Sequence, residues 1–455
     1  MTRKKYGMKK NQKSIPQLNS SRGTVLIVTM WIVLVLAGLV LVFSRSMRVE
    51  AIASANHIAA VQADNIARGG LQFILDELGN EQENTLLLEG DNSYEGIKLG
   101  DGYFWILHPN RTDDRNYSFG ISDESSKINL NSATQEMLLK LPGMTAELAA
   151  SIIDWRDEDS EVTPGGAESE YYLLLPDSYY CKDAPLETVM EVLLIKGTTH
   201  EILFGEDTNR NGFLDSNEND ADYSDPPDNK DGHLDRGFYD YVTVYSRESN
   251  LNKDGKERVN INEMRNQGKL SDILRKVIKD DRIFQIMDNV RRRRPFQNIL
   301  DFYYRSGLTI SEFDQIADEL TTQANRTKVG LVNINTASSE VLYCLPGLAE
   351  SDVDAIITKR SSLEESELDT LTWITEVLPQ EKAVAIGSHI SNRSSQYSAD
   401  VISVSGNGRA YKRYKVVVDM QHETPRVLYW KSITDLGWPL QPEIISRLRS
   451  GVPLN

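Results

Sequence analysis

Cysteine is almost absent from this chain: Cys181 and Cys344 are the only two in 455 residues. No dense disulfide framework and no cysteine-rich metal site can organise it. The pair could join in an oxidising compartment or remain two buried thiols, and the sequence leaves both open. Histidine is scarce too. His57, His108, His200, His233, His389 and His422 are scattered, and there is no His-Glu-x-x-His, Gly-x-Ser-x-Gly or phosphate-cradling loop. Without a nucleophile constellation, no enzyme is expected. Acidic residues are missing from the first 23 positions, and charge of either sign is missing from Thr24 to Phe43. Beyond the leader acid dominates: subtracting the leader's seven basic residues from the formal net charge of −17 leaves −24. Such a surface suits oxygen-ligated cations and repels phosphate backbones.

What is present begins with a junction. Arg3, Lys4, Lys5, Lys9, Lys10, Lys13 and Arg22 precede the uncharged run Thr24–Phe43. About twenty apolar residues at 1.5 Å rise span a bilayer core. A positive flank keeps the N-terminus cytoplasmic and sends the rest across. A secretory signal would end its apolar stretch after about 7–15 residues, at a small-residue cleavage site; this run is longer and lacks one. Beyond it Ile52, Ala59, Ile66, Leu71, Ile74, Leu75 and Leu78 recur at helical spacing, with Asp64, Arg68, Asp76 and Glu77 between them. The pattern predicts one helix over 24–78, spanning the membrane at 24–43 and amphipathic afterwards.

Glycine, asparagine and aspartate then predict a loop from Gly90 to Gly102. Strands are expected at Gly102–Leu107, Asn116–Ile121, Asp240–Tyr245, Asp400–Val404, Tyr414–Asp419 and Val427–Trp430. Helices are expected at Leu270–Val290 and Ser311–Leu320. Two segments repeat one another. Ile128-Asn-Leu-Asn-Ser-Ala133 leads to Leu141-Pro-Gly-Met144 and Ile152-Ile-Asp-Trp-Arg156; Val332-Asn-Ile-Asn-Thr-Ala337 leads to Leu345-Pro-Gly-Leu348 and Ile356-Ile-Thr-Lys-Arg360. Each copy resembles a helix-hairpin-helix unit. Ser132 and Ser338 stand where a hydroxyl can cap the first helix, and Pro-Gly makes the turn. Such units often grip DNA through a Gly-x-Gly hairpin. Here the second glycine is missing, and Glu147, Glu350, Asp352 and Asp354 flank the turns, so packing or protein contact is expected instead of nucleic acid. The basic run Arg291–Arg294 fits a helix end or partners among the acids.

The one metal-type motif is Asp207-Thr-Asn-Arg-Asn-Gly-Phe-Leu-Asp-Ser-Asn-Glu218, which fits the twelve-residue EF-hand loop. Asp207, Asn209 and Asn211 take positions one, three and five, and Gly212 the sharp turn. The Phe213 carbonyl takes seven, Asp215 nine, and Glu218 is the bidentate ligand at twelve. Alternating hard oxygen donors suit Ca²⁺ because the loop wraps the ion. A partial echo at Asn229, Asp231, His233 and Asp235 is a candidate second site. Its positions one and twelve fall on Pro227 and Phe238. Asn250-Leu-Asn-Lys-Asp-Gly255 starts similarly but reads as a turn.

The helix, apolar all round and then amphipathic, resembles the spine of type IV pilins and type II secretion pseudopilins. Asp123-Glu-Ser-Ser-Lys-Ile-Asn-Leu-Asn131, the Ile-Asp-Trp stretch, Pro164-Gly-Gly-Ala-Glu168 with Tyr171-Tyr172, the second hairpin and the strand tail follow in the order of the protein K family of minor pseudopilins. That family characteristically lacks the glutamate most pilins carry at the fifth mature position, and Val28 stands there.

The resemblance implies cleavage by a prepilin peptidase between Gly23 and Thr24, which leaves a protein in the inner membrane with its C-terminal domain periplasmic. It implies partners among the minor pseudopilins of types I and J, a place at the pseudopilus tip, and calcium in the helical domain. Exported proteins are further candidate partners. The implied fold is α+β: leader 1–23, helix 24–78, a pilin-like antiparallel sheet in two parts, 79–128 and 396–455, and an inserted α-domain at 129–395 with two helix-hairpin-helix, SAM-like units. The rivals are an anchored DNA receptor of the competence type and a calcium-dependent adhesion module on a plain anchor.

Overall fold

The computed structural model describes residues 1–2, 7, 21–80, 92–109, 111, 113–221, 223–422 and 424–454. Nearly all of the basic leader and the start of the expected Gly90–Gly102 loop lie outside the described residues. Residues 1–59 form one compact unit and residues 60–455 another.

Helix α1 runs Ser21–Asn80. Among the described residues it is the one helix long and apolar enough to cross a membrane. Residues 23–54 are exposed throughout, so Ile52, expected on the buried stripe, is not buried. In the second unit Ile66, Ile74 and Leu78 of the expected stripe are buried, joined by Ala63 and Ala67, while Leu71 and Leu75 are half-buried. The helix backbone lies directly against the sheet, because a Cβ on Gly70 would sit 2.9 Å from Val401 Cγ1. Ser403 Oγ donates to the Ala63 carbonyl at 2.8 Å.

The sheet is antiparallel. Strands β1 (Ile97–Leu99) and β2 (Gly102–His108) precede the strands Gln396–Val404, Tyr411–Asp419 and Arg426–Ser432 in that spatial order. Two short strands join it: β3 (Ser118–Phe119) beside β2, and β4 (Ser122–Asp123) beside Gln396–Val404. Register sets Ile106 opposite Val401 and Val401 opposite Tyr414. Strand β1 occupies part of the expected loop, where Gly100 with φ +61 makes the hairpin turn to β2. The expected strand at Asn116–Ile121 is only the Ser118–Phe119 pair, followed by β4. The chain therefore leaves the sheet after Asp123 and returns at Gln396. Buried apolar residues form two clusters, one against the sheet and one inside the inserted segment.

That segment holds three copies of one module, where the sequence reading found two. The additional copy, second in chain order, opens at Val259-Asn-Ile-Asn262. In each copy the first Asn side chain accepts the amide of the second: Asn129 from Asn131 at 2.9 Å, Asn260 from Asn262 at 3.0 Å, and Asn333 from Asn335 at 3.0 Å. The second Asn then donates to a distant carbonyl, of Leu186, Phe296 or Leu368. Each copy opens and closes on a two-residue parallel pair: Ile128–Asn129 with Val242–Thr243, Val259–Asn260 with Leu320–Thr321, and Val332–Asn333 with Ile390–Ser391.

In the first and third copies Gly143 and Gly347 turn with φ +66 and +73. There Arg156 reaches the Leu130 and Ala133 carbonyls, and Arg360 reaches those of Ile334 and Ala337. These bonds close each hairpin back on its Asn-x-Asn turn.

Local expectations shift for local reasons. Thr134, not Ser132, caps the helix Gln135–Leu138, and Ser338 stands at a cap position without making the cap bond. Leu270–Val290 is two helices, Gln267–Arg275 and Asp280–Arg293, because Lys279 is extended at ψ 147. The helix expected at Ser311–Leu320 stops at Ala317, since Leu320 enters the closing strand. Only Val242–Thr243 of the strand expected at Asp240–Tyr245 is extended, because Tyr239–Tyr241 forms a 3₁₀ turn.

Candidate metal loop and its anchorage

In the second and third modules the last helix reaches its closing strand within a few residues, from Ala317 to Leu320 and from Ile386 to Ile390. In the first module the helix His200–Phe204 and the strand Val242–Thr243 are separated by the whole acidic stretch. That stretch is an insertion at one fixed point of a repeated unit.

Its first loop buries its key donors: Asp207, Asn211 and Glu218 are 4%, 2% and 1% exposed. The Asp207 carboxylate accepts the amides of Asn211 at 3.0 Å and Gly212 at 2.9 Å. Gly212 turns with φ +70, which a side chain would resist. Asn209 Oδ1 accepts from the Asn211 amide, and Asn211 Oδ1 from the Phe213 amide. The Phe213 ring stacks on Tyr117 at 4.5 Å.

The side-chain amides of Asn209 and Asn211 both donate to Asp215 Oδ2, at 2.6 and 3.0 Å. Asp207, Asp215 and Glu218 are not drawn into one trio; among the described residues that distinction belongs to Glu168, Cys181 and Asp183. The loop has an unmet electrostatic need nonetheless. Glu218 Oε1 is buried without a hydrogen-bond partner. Burial, and then the nearby Asp207 carboxylate, push the Glu218 carboxyl up to about 8. Burial and Asp240 push Asp207 up to about 6. A cation at this point would supply the missing counter-charge and a partner for Oε1, so the donor set fits Ca²⁺.

In the second loop Asn229 Oδ1 accepts the Asp231 amide, Asp231 Oδ1 accepts the His233 amide, and Asn229 donates to Asp235 at 2.8 Å. His233 is exposed and lies 3.7 Å from the Asp114 carboxylate. Glu206, which sequence reasoning passed over, accepts the amides of both Asn229 and Asp235. These acceptors are engaged within the loop, and no convergence like that of the Glu168 cluster forms.

The insertion is also tied to the sheet. Asp114 accepts Leu214 N on its main-chain carbonyl at 2.7 Å and Leu234 N on its carboxylate at 3.0 Å, so one residue of the β2–β3 connection holds both loops. Asn211 Nδ2 donates to the Pro439 carbonyl at 3.0 Å. Arg413, in the Tyr411–Asp419 strand, is fully buried. Its guanidinium pairs with Asp400 at 2.6 Å and donates to the main-chain carbonyls of Asn209 at 2.5 Å and Arg210 at 2.8 Å. Sequence alone does not single out Arg413, because Lys412 and Lys415 share its strand.

Cys181 and Cys344 are both buried and unpaired. Of the basic run, Arg292 pairs with Asp288 at 3.0 Å and Arg293 donates to the Arg305 carbonyl.

Residues 121–204 match the family described as Type II secretion system (T2SS), protein K. The chain carries a protein K domain of the type II secretion system. The match runs from the last sheet residues before the insertion through the helices of the first module, and it stops at Phe204, immediately before the acidic stretch. The candidate metal loop is therefore outside the matched protein K segment. No curated protein matches the chain. One chain of a solved structure, the crystal structure of the GspK-GspI-GspJ complex from the enterotoxigenic Escherichia coli type 2 secretion system, is 12% identical. It covers 85% of this chain and 98% of its own length, with a TM-score of 0.41. At that level the likeness carries no weight for fold or partners.

Proposed function

We propose that the chain is a minor pseudopilin of the type II secretion system. A prepilin peptidase cuts between Gly23 and Thr24. The apolar half of α1 holds the product in the inner membrane, N-terminus cytoplasmic and remainder periplasmic. It sits at the tip of the pseudopilus, with the type I and type J minor pseudopilins as neighbours. The observation that carries this reading is the protein K segment at 121–204, in a chain whose N-terminal helix is apolar all round at 24–43. Val28 supports the tip position: it cannot form the pair that glutamate at the fifth mature position makes with a neighbouring N-terminal amine. The role is assembly, without catalysis, and the hairpin modules serve packing and protein contact. The loop Asp207–Glu218 takes Ca²⁺ and, through Arg413 and Asp114, fixes the insertion to the sheet.

Co-expression with type I and type J minor pseudopilins, followed by size-exclusion chromatography in detergent, tests the assembly. One peak containing all three is expected; separate elution of this chain would contradict the reading.

Duplex DNA should not bind at physiological salt, because Glu147, Glu350 and Asp354 are exposed beside the two Pro-Gly turns and repel phosphate. A gel shift at micromolar protein that weakens as salt rises would favour the DNA-receptor reading instead.

A further inference from the structure

The sheet ends on an open strand. Its spatial order closes on Arg426–Ser432, which has a neighbouring strand on one side only. The opposite edge, β1, is three residues long, whereas this strand has seven, Arg-Val-Leu-Tyr-Trp-Lys-Ser. Val427 and Leu428 are each 40% exposed. Ile433 N donates to the Arg413 carbonyl at 2.9 Å. Main-chain groups alternate in direction along an antiparallel strand. Tyr429 and Lys431 therefore also turn theirs inward, and Trp430 and Ser432 turn theirs outward. Among the described residues nothing pairs with those outward groups. An apolar edge with unpaired main chain is a template for another strand.

The charges define what that strand carries. Lys431 stands opposite Lys415, and Lys415 opposite Asp400. The Asp400 carboxylate is taken by Arg413 at 2.6 Å, so neither lysine has an ion-pair partner among the described residues. Two like charges face one another across the ladder, which is unfavourable. At the other end Arg426 stands opposite Asp419. That carboxylate is held by Arg247 at 2.6 Å and by Gln396 at 2.8 Å, so Arg426 too lacks an acid among the described residues.

The register shifts once, between Val417 and Val418, and Leu428 is the extra residue. A bulged residue takes no place in the ladder. Arg426, Tyr429 and Lys431 therefore share one face, opposite Asp419, Val417 and Lys415, while Val427 and Trp430 lie on the other.

We propose that this edge takes an extended segment of a different protein, added as one more strand, with two acidic residues spaced as Lys415 and Asp419 are and an aromatic or apolar residue midway. One acid continues the row Asp400–Lys415–Lys431, and the other meets Arg426. The midway residue lies against Tyr429, and the positions between are apolar, against Trp430 and Val427. A second copy of this chain does not fit: Arg426–Ser432 holds two cations and no acid, so pairing with itself supplies no counter-charge.

The test uses the full chain in detergent with a short synthetic peptide carrying Glu-Val-Tyr-Val-Glu, and a Lys-Val-Tyr-Val-Lys peptide beside it. At ten times its Kd the glutamate peptide should slow amide hydrogen exchange of Trp430 and Ser432 roughly tenfold; the lysine peptide should not. Arg426→Glu with Lys431→Glu should reverse that preference, by roughly tenfold in Kd. Ser432→Pro removes an outward donor that an added strand would use. Proline is tolerated on an edge strand where its nitrogen faces solvent, so the melting temperature should hold while affinity for the glutamate peptide falls about three- to tenfold. Equal binding of the two peptides, or exchange at Trp430 and Ser432 unchanged by either, overturns the proposal; Arg426, Lys431 and the bulge then only blunt the edge against pairing. A dimer of the chain alone, seen by sedimentation and lost with Ser432→Pro, would make the occupant a second copy and likewise overturn it.

Discussion

Removing calcium from the detergent-solubilised chain is expected to lower its melting temperature and open residues 205–237 to proteases. A bound ion adds about 2.7 kcal/mol at a hundredfold excess over Kd. At about 2 °C per kcal/mol for a large domain, the loss is roughly 5 °C. Glu218→Gln should reproduce much of it, since Oε1 is the orphaned atom, and magnesium should substitute poorly because it demands a tighter octahedral shell.

The ion-free protein should also respond to pH. Glu218 and Asp207 titrate near 8 and 6 in the fold, above their unfolded values. The ion-free fold then holds protons that the unfolded chain has released. The contribution of these two groups to its stability is fully present below about pH 4 and is lost as pH rises through 6 and 8; calcium should flatten that slope. Unchanged melting and proteolysis after chelation, with no calcium uptake by calorimetry, would make the loop a solvated linker.

Arg413→Met is expected to cost about 3–5 kcal/mol, because it leaves Asp400 buried and unpaired. It should also free the acidic loop, whose Asn209 and Arg210 carbonyls lose their donor. Adding Asp400→Leu separates the two effects. Removing both charges should restore much of the stability, while the loop stays open to protease even with calcium. A single substitution costing less than about 1 kcal/mol would show that the Arg413 clamp is not needed for folding.

The parts of the fold visible in sequence were those set by local pattern. The spine announced itself through uncharged length and helical spacing, and the tail strands through runs of β-branched residues. Strand β1 was hidden because three residues between glycines carry too little period to stand out. The second module was present in the letters, since Val259-Asn-Ile-Asn262 repeats Val332-Asn-Ile-Asn335 residue for residue. It was passed over because no Pro-Gly turn follows it. The break at Lys279 has no glycine or proline to mark it.

At the candidate metal loop, spacing pointed to Asp207–Glu218, but the anchors Asp114 and Arg413 are brought in by tertiary folding across long stretches of chain. The Pro164–Glu168 stretch was legible as a family marker.

The most direct measurement of the pseudopilin assignment is the N-terminal sequence of the mature protein, taken from membranes that contain a prepilin peptidase. It should begin at Thr24, and Gly23→Arg should leave a longer, unprocessed chain. A mature protein that still begins at Met1, with Gly23→Arg migrating like the parent, would contradict the assignment and leave a simple membrane anchor.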